Sequence, residues 1–290
     1  MRLLVIGETG QLARALRREG EALGHSVTTL DRGALDLAWD DPRIEAALRP
    51  HLQDADAVIL AAAYTAVDAA EEDSETAHAV NAAAPGTVAR ACAAAGLALV
   101  HISTDYVFDG EGREPFPTDH PTAPLGVYGR TKRDGEVAVL DSGANAAILR
   151  TSWVFDGTNK NFLTTMLRLA ETRDALTVVA DQIGRPTYAG HLARASLRVA
   201  QVLRDGKTGR GIFHVSGSGE PVSWADFAKA IFEASGKTVA VTPIPSSDYP
   251  TPAARPHWSV MSLDAFERTF GYDLPDWRDG LRAALDERAA

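Results

Sequence analysis

The sequence predicts an α/β protein built on a doubly wound parallel sheet, followed by a smaller second domain. Over residues 1–150, short apolar runs of strand length alternate with alanine-rich amphipathic stretches of helix length. The apolar runs are almost continuous, which is typical of parallel strands that helices cover on both faces. A glycine-bearing turn follows the first run directly. With 290 residues, 45% of them apolar, the chain can bury a full core.

Five strands and four helices are predicted in this first part. The strands cover Leu3–Ile6, Val27–Leu30, Ala57–Ala61, Ala98–Ile102 and Ala146–Leu149, and the helices cover Gln11–Leu23, Pro42–Leu48, Ser74–Ala95 and Gly126–Leu140. After Thr151, polar proline-bearing loops at 181–187 and 244–250 separate shorter elements. The apolar run Gly211–Val215 predicts a strand that returns to the first sheet. We therefore expect a first domain over 1–152 with a strand near 211–216, and a discontinuous second domain over most of 153–290.

Charge and cysteine content exclude several classes of protein. The net charge of −10 leaves no broad basic face for nucleic acid. The single cysteine, Cys92, allows no internal disulfide and is expected to fill the core, so a reducing, cytoplasmic location is expected. The apolar runs are too short for a secretion signal or a membrane-spanning helix, and we expect no membrane association.

The turn after the first strand has the pattern of a dinucleotide-binding site. Gly7 permits a tight turn, Gly10 a close approach of backbone to ligand, and Ala13 the packing of helix against strand. The helix that begins here presents free N–H groups and a positive dipole end to a pyrophosphate. We therefore expect Gly7, Gly10, Gln11 and Leu12 to bind the pyrophosphate in a Rossmann arrangement. The alternative is a strand-to-helix turn in another kind of α/β protein.

Further cofactor contacts are expected after the second and third strands. Asp31, 21 residues past Gly10, is placed to bind the adenosine ribose, which favours NADH, whereas the guanidinium of Arg32 could accept the 2′-phosphate of NADPH. Asp36 and Leu37 either hold the adenine ring or cap the next helix. Four residues at the end of the third strand should line the cofactor: Ala62, Ala63, Tyr64 and Thr65.

Tyr128 and Lys132 are one helical turn apart on one face of a predicted helix. A neighbouring ammonium lowers the pKa of a phenol and makes it a usable proton donor. Thr104 directly follows a predicted strand, so its hydroxyl should emerge at the sheet edge where a nicotinamide would lie. Alone, the Tyr/Lys pair is more often a surface tyrosine with a solvated lysine. The three residues together favour proton transfer at a substrate oxygen.

These motifs resemble the extended short-chain dehydrogenase/reductase superfamily, and within it the dTDP-4-dehydrorhamnose reductases. The stretches that carry the resemblance are Gly10-Gln11-Leu12, Thr65-Ala66-Val67-Asp68, Asn81, Ser103–Gly110, Val127-Tyr128-Gly129, Arg150–Val154, Asp181-Gln182 with Pro186-Thr187, and Tyr249–Pro256. The resemblance implies reduction by NADPH or NADH of the C4 keto group of dTDP-4-dehydro-L-rhamnose, a nucleotide sugar.

The same resemblance assigns roles to individual residues. It implies that Tyr128 donates the proton, that Lys132 binds the nicotinamide ribose and lowers the pKa of Tyr128, and that Thr104 orients the pair. Thr104, Asp105 and Trp153 would contact the sugar nucleotide, with Trp153 offering a flat apolar wall unless it is a plain core residue. The cations considered for the diphosphate are Arg255, Arg185, Lys160 and His257, with Arg255 the best placed by motif.

The chain departs from the family pattern at three positions. Some relatives form dimers bridged by magnesium through acidic residues, and the comparable positions here hold Ala15 and Gly190. Magnesium is therefore doubtful, and a monomer or weak homodimer is expected. Tyr64 stands where a histidine is common.

Two alternative functions stay open at this point. One is a sugar-nucleotide epimerase or dehydratase on the same fold, although dehydratases typically carry Asp-Glu after the threonine where this chain has Asp105-Tyr106. The other is a non-catalytic nucleotide-binding regulatory subunit. That role gives no reason to retain Thr104, Tyr128 and Lys132 together.

Overall fold

A six-stranded parallel sheet forms the centre of the molecule. The computed structural model describes residues 1–289. The strands of this sheet are β1 (Arg2–Ile6), β2 (Ser26–Leu30), β3 (Ala57–Leu60), β4 (Ala98–Thr104), β5 (Asn145–Thr151) and, later in the chain, β10 (Gly211–His214). They lie in the order β10-β5-β4-β3-β1-β2. The direction of winding reverses between β1 and β3, and in such sheets ligands bind in the crevice at the carboxyl ends of the strands.

Helices cover both faces of the sheet, as the continuous apolar strands require. They are α1 (Gln11–Ala22), α2 (Asp41–Leu52), α3 (Val67–Glu72), α4 (Ser74–His78), α5 (Ala84–Ala95), α6 (Val127–Asp141) and α8 (Ala189–Arg204). Helices α1 and α8 pack against one face, and α2, α5 and α6 against the other. Each face has its own apolar core, and Cys92 lies fully buried in the second of them. The predicted α/β fold class is confirmed.

Several element boundaries differ from the sequence-based predictions. β4 runs on to Thr104, so this residue ends the strand and does not follow it. The helix α2 begins at Asp41 because Asp40 caps it by accepting the N–H of Arg43. The helix predicted over Ser74–Ala95 contains a turn of π-helix at Ala79–Ala83, and α3 was not predicted. A π turn inside a helix often marks a functional site.

A second lobe is built on residues that follow β5. Its elements are β6 (Val154–Phe155), α7 (Phe162–Leu169), β7 (Ala175–Val179), β8 (Ile183–Gly184), β9 (Thr187–Tyr188), β11 (Val222–Ser223), α9 (Trp224–Ala234), β12 (Ala240–Ile244) and α11 (Trp277–Ala289). The helix α10 (Asp264–Phe270) also follows β5 but packs against α8 and β10 in the core of the main sheet. The helices α7, α9 and α11 enclose an apolar core of their own. Between α8 and α9 the chain re-enters the main sheet, where β10 pairs in parallel with β5.

None of the helices within residues 1–289 is both long enough and apolar enough to cross a membrane.

Candidate active site

The start of α1 forms an open cradle at the carboxyl end of β1. Gly7 has φ +121°, and a Cβ there would lie 3.3 Å from the backbone nitrogen of Ala62, so the turn requires glycine. At Gly10 a Cβ would meet no atom within 4 Å, and no side chain caps the helix. The first N–H groups of α1, including those of Gln11 and Leu12, are therefore left without side-chain partners. Uncapped N–H groups beside open space fit the pyrophosphate of a dinucleotide.

The segment that follows β2 is stabilised by hydrogen bonds between residues three or four positions apart. Asp31 accepts the N–H of Ala34 at 2.7 Å, and exposed Arg32 donates through Nε to Asp36 at 3.0 Å. Leu37 is buried in the sheet core. The alternative reading of Asp36 as a helix cap is wrong, because Asp40 caps α2. Leu37 also does not present an open apolar face to an adenine ring.

The loop after β3 is fastened to α6 by a buried amide. Asn81, in the π turn, accepts the N–H of Tyr64 at 2.9 Å and donates to its carbonyl oxygen at 3.1 Å. The same Asn81 side chain donates to the Thr131 hydroxyl at 3.2 Å. The Ala62–Thr65 loop and the helix of Tyr128 are thus held in one fixed relation. Sequence reasoning assigned Asn81 no role, although a single amide within an alanine-rich helix was an available signal.

Thr104, Tyr128 and Lys132 meet where β4 ends and α6 begins. The Thr104 hydroxyl donates to Oδ1 of Asp105 at 3.0 Å and accepts the N–H of Tyr106 at 3.2 Å. It also lies near enough to the phenol of Tyr128 to lower the pKa of that group. The ring of Tyr106 packs edge-on against that of Tyr128, with centroids 5.5 Å apart. The helix α6 can approach this closely because Gly129 has no Cβ. A Cβ at this position would overlap the carbonyl oxygen of Tyr106.

Burial raises the pKa values of Tyr128 and Asp105 and lowers that of Lys132. It raises the pKa of Tyr128 to about 12, opposed by the Thr104 hydroxyl. It raises the pKa of Asp105 to about 6. It lowers the pKa of Lys132 to about 8, and Glu136 opposes that shift. The structure therefore differs from the sequence-based expectation: the pKa of Tyr128 lies above its usual value, and Thr104, rather than Lys132, is the group that lowers it.

Lys132 points along the sheet edge and not into solvent. Its side chain is buried, and Nζ donates to the carbonyl oxygen of Ile102 at 2.7 Å. The alternative interpretation of Lys132 as a solvated surface lysine is therefore wrong. An ammonium held this way keeps further N–H groups for ribose hydroxyls or for the charge that develops on a phenolate.

Trp153 stands in a strained position at the start of the second lobe. It has φ +49°, and its ring stacks on Trp224 at 3.5 Å with an interplanar angle of 9°. Gly184 lies so close to the ring that a Cβ would come within 2.7 Å of it. One face of the Trp153 ring is thus covered by Trp224 and unavailable to a sugar. Strained backbone of this kind is concentrated at functional sites.

The four loop cations occupy different surroundings. Arg255 forms two hydrogen bonds with Asp68, at 2.6 and 2.7 Å, which fasten the last loop to α3. The half-buried Arg185 donates to the carbonyl oxygen of Met261 at 3.3 Å. His257 and Lys160 are exposed. Of these four, Arg255 is the one that acts electrostatically on Tyr106, whose ring packs against Tyr128.

The positions considered for magnesium lie away from this site. Ala15 is fully buried, and Gly190 contacts Tyr188 and Arg18. The Tyr188 hydroxyl accepts from Arg18 and donates to Glu287, both at 3.1 Å. Within residues 1–289, no three histidine, cysteine or acidic side chains are grouped so that they could hold a metal ion.

The whole chain matches one family model, described as the RmlD substrate binding domain, over residues 1–290. The chain belongs to the RmlD family. A dTDP-4-dehydrorhamnose reductase from Sinorhizobium fredii is 43% identical over 290 residues, which cover 97% of this chain and 96% of the relative. Members of the RmlD family with this activity thus align with the chain from end to end.

Solved structures give the same result. The crystal structure of a dTDP-4-dehydrorhamnose reductase from Clostridium acetobutylicum superimposes with a TM-score of 0.92 at 36% identity, covering all of both chains. The enzyme of the same description from Bacillus anthracis, solved in complex with NADP, gives 0.92 at 33% identity and covers 99% of each chain. The predicted family is confirmed.

Proposed function

We propose that this chain reduces the C4 keto group of dTDP-4-dehydro-L-rhamnose to give dTDP-L-rhamnose, with NADPH or NADH as reductant and Tyr128 as proton donor. The observation that carries the proposal is the grouping of Thr104, Tyr128 and Lys132 around the end of β4, at the same carboxyl edge of the parallel sheet as the open start of α1. NADPH or NADH, when bound, supplies the hydride for the carbonyl carbon. The uncapped helix end and the Ala62–Thr65 loop fit such a group.

Tyr128 holds the proton that the substrate oxygen needs. With a pKa of about 12, the phenol is fully protonated at neutral pH. The alkoxide that develops at C4 is a far stronger base than a phenolate, so the transfer runs downhill. The Thr104 hydroxyl is placed to bind the same oxygen and to stabilise its growing charge. The buried Lys132 ammonium, held by the carbonyl oxygen of Ile102, is proposed to bind the nicotinamide ribose.

The sugar nucleotide is expected to lie between the two lobes. Asp105 accepts a hydrogen bond from Thr104, Trp153 directly follows the end of β5, and Arg255 is the loop cation that acts electrostatically on Tyr106. We assign the cofactor to residues 1–152 with the strand at 211–214, and most of the substrate contacts to 153–290. The chain is proposed to act in the cytoplasm as a monomer or weak homodimer without magnesium.

One assay tests the proposal. Purified protein is given dTDP-4-dehydro-L-rhamnose with NADPH and, separately, NADH, and the absorbance at 340 nm is followed. We expect stoichiometric loss of the reduced cofactor and formation of dTDP-L-rhamnose. Isomerised or dehydrated sugar without cofactor consumption would replace the proposal with an epimerase or dehydratase. Binding without any turnover would indicate a regulatory subunit.

A further inference from the structure

A buried carboxylate lies one helical turn beyond Lys132. Glu136 accepts the Ser103 hydroxyl at 2.5 Å on Oε1, and the Arg150 guanidinium at 2.8 Å on Oε1 and 2.6 Å on Oε2. The side chains of Glu136 and Arg150 are each only 3% exposed. Removing two charges this completely from water is costly, so the pair is a poor source of stability by itself.

The strand register explains why these three side chains meet. Ser103 of β4 and Arg150 of β5 are direct partners in the parallel pairing, so their side chains leave the sheet on the same face. That face is covered by α6, on which positions four residues apart are stacked one above another. Tyr128, Lys132 and Glu136 therefore form a single row along the helix, and the row ends at the Ser103 and Arg150 side chains.

Three consecutive residues at the end of β4 interact with the side chains of this row. The carbonyl oxygen of Ile102 accepts from Lys132, the hydroxyl of Ser103 donates to Glu136, and the hydroxyl of Thr104 lowers the pKa of Tyr128. Only Glu136 is also tied to a second strand, through Arg150. It consequently fixes both the depth of α6 on the sheet and the distance from Lys132 to the end of β4.

Several charged and titratable groups surround Lys132. Glu136 is the charged group of α6 that faces the ammonium. From β4 it is faced by His101, whose pKa is driven down by burial and by Lys132, so this ring is neutral. Arg150 of β5 stands behind the carboxylate, and Asp105, in the turn after β4, is bound to Thr104. From the neighbouring helices, Glu71 of α3 reaches only the N–H of Val127, at the helix start.

We propose that Glu136 is a positioning residue for the reaction, which keeps the Lys132 ammonium charged and holds it at the end of β4, one helical turn from Tyr128. Arg150 offsets part of the negative charge of Glu136, so the two residues together set how readily Lys132 releases its proton. Loss of the carboxylate would leave two cations, Lys132 and Arg150, buried close to each other. This role rests on the proposed function, because it matters only where Lys132 assists Tyr128.

Direct titration of Lys132 tests the proposal without substrate or cofactor. The chain has five lysines, and Lys132 alone among them is buried, whereas Lys160, Lys207, Lys229 and Lys237 are exposed. With 13C-labelled lysine, the Lys132 NMR signal can be assigned by its loss in Lys132→Met. We expect Glu136→Gln to lower its titration midpoint by about one pH unit or more, and Arg150→Met to raise it. The pH above which activity declines should likewise fall in Glu136→Gln and rise in Arg150→Met.

Three further variants separate this role from a purely structural one. Ser103→Ala removes an anchoring hydrogen bond but keeps the carboxylate charge, and Glu233→Gln removes an exposed carboxylate, so both should leave the midpoint in place. If Glu136→Gln or Arg150→Met fails to fold, the double variant Glu136→Gln/Arg150→Met replaces it. Its Lys132 midpoint should lie below that of the wild type, because Glu136 acts on Lys132 directly and Arg150 acts through Glu136. An unchanged Lys132 midpoint in a folded protein without Glu136 would overturn the proposal. Since the titration needs no turnover, that failure is distinct from failure of the proposed function.

Discussion

The Thr104 hydroxyl donates a hydrogen bond of 3.0 Å to the carboxylate of Asp105, which is only 2% exposed. Burial raises the pKa of Asp105 to about 6, so the folded protein binds more protons than the unfolded chain between about pH 4 and pH 6. The carboxyl therefore destabilises the fold as pH rises through this window. A difference of about two units corresponds to roughly 3 kcal/mol at pH 7.

Asp105→Asn should therefore stabilise the protein at pH 7, by about 1–3 kcal/mol. The gain should shrink to nothing near pH 3, which lies below the pKa of the carboxyl in both the folded and the unfolded state. Urea unfolding at the two pH values measures it, with the exposed Asp174→Asn as control. A gain of the same size at both pH values, or none at pH 7, would contradict the assignment.

Tyr128→Phe should reduce turnover by about 10²- to 10⁴-fold, because the proton donor of the reaction is removed while the ring is kept. The affinity for NADPH, measured by fluorescence titration, should change little. Tyr188→Phe is the matched control, since its hydroxyl joins Arg18 and Glu287 in a different part of the molecule. Near-normal turnover of Tyr128→Phe would remove the phenol from the mechanism.

Activity should decline as the pH rises above about 8, because Lys132 then loses its proton. Stability should move in the opposite sense. The folded pKa of Lys132 lies below its unfolded value of 10.5, so the unfolded chain binds the extra proton between these values and stability rises with pH there. Denaturation at pH 8 and pH 10 should show this rise in the wild type and a smaller one in Lys132→Met. Equal rises in the two proteins would contradict the lowered pKa of Lys132.

Arg32→Ala should impair use of NADPH more than use of NADH. The guanidinium of Arg32 is 79% exposed, and its one ion pair, with Asp36 on the same segment, leaves it free to turn toward a 2′-phosphate. Loss of one such charge-assisted contact is expected to raise KM for NADPH by about tenfold. Arg17→Ala, which breaks the exposed pair with Glu21, is the control. Equal effects on the two cofactors would show that Arg32 does not discriminate between them.

Much of the fold and part of the candidate site could be predicted from the sequence. Continuous apolar runs identified the parallel strands, and the spacing of Gly7, Gly10 and Asp31 predicts an order of cofactor contacts. The four-residue spacing of Tyr128 and Lys132 placed both on one helical face. These predictions depend only on local periodicity, which the sequence records directly.

The remaining features depend on which strands lie side by side. Ser103 and Arg150 meet at Glu136 only because β4 and β5 pair in one particular register. The pairing of Asp68 with Arg255 joins residues 187 positions apart. Neither could be derived from spacing along the chain. The pKa of Tyr128 was expected in the wrong direction for the same reason, since burial, which depends on packing, raises it.

The insertion of β10 between the two passes of the chain through the second lobe bears on how these proteins can be recombined. A fragment that stops at residue 152 would lack β10 and would therefore expose β5 as an edge strand. The unpaired backbone N–H and C=O groups of β5 could then pair with a second copy of the fragment. Chimaeras that exchange substrate preference must therefore splice the chain at two crossings, on both sides of Gly211–His214. A single cut would leave the host with a sheet one strand short.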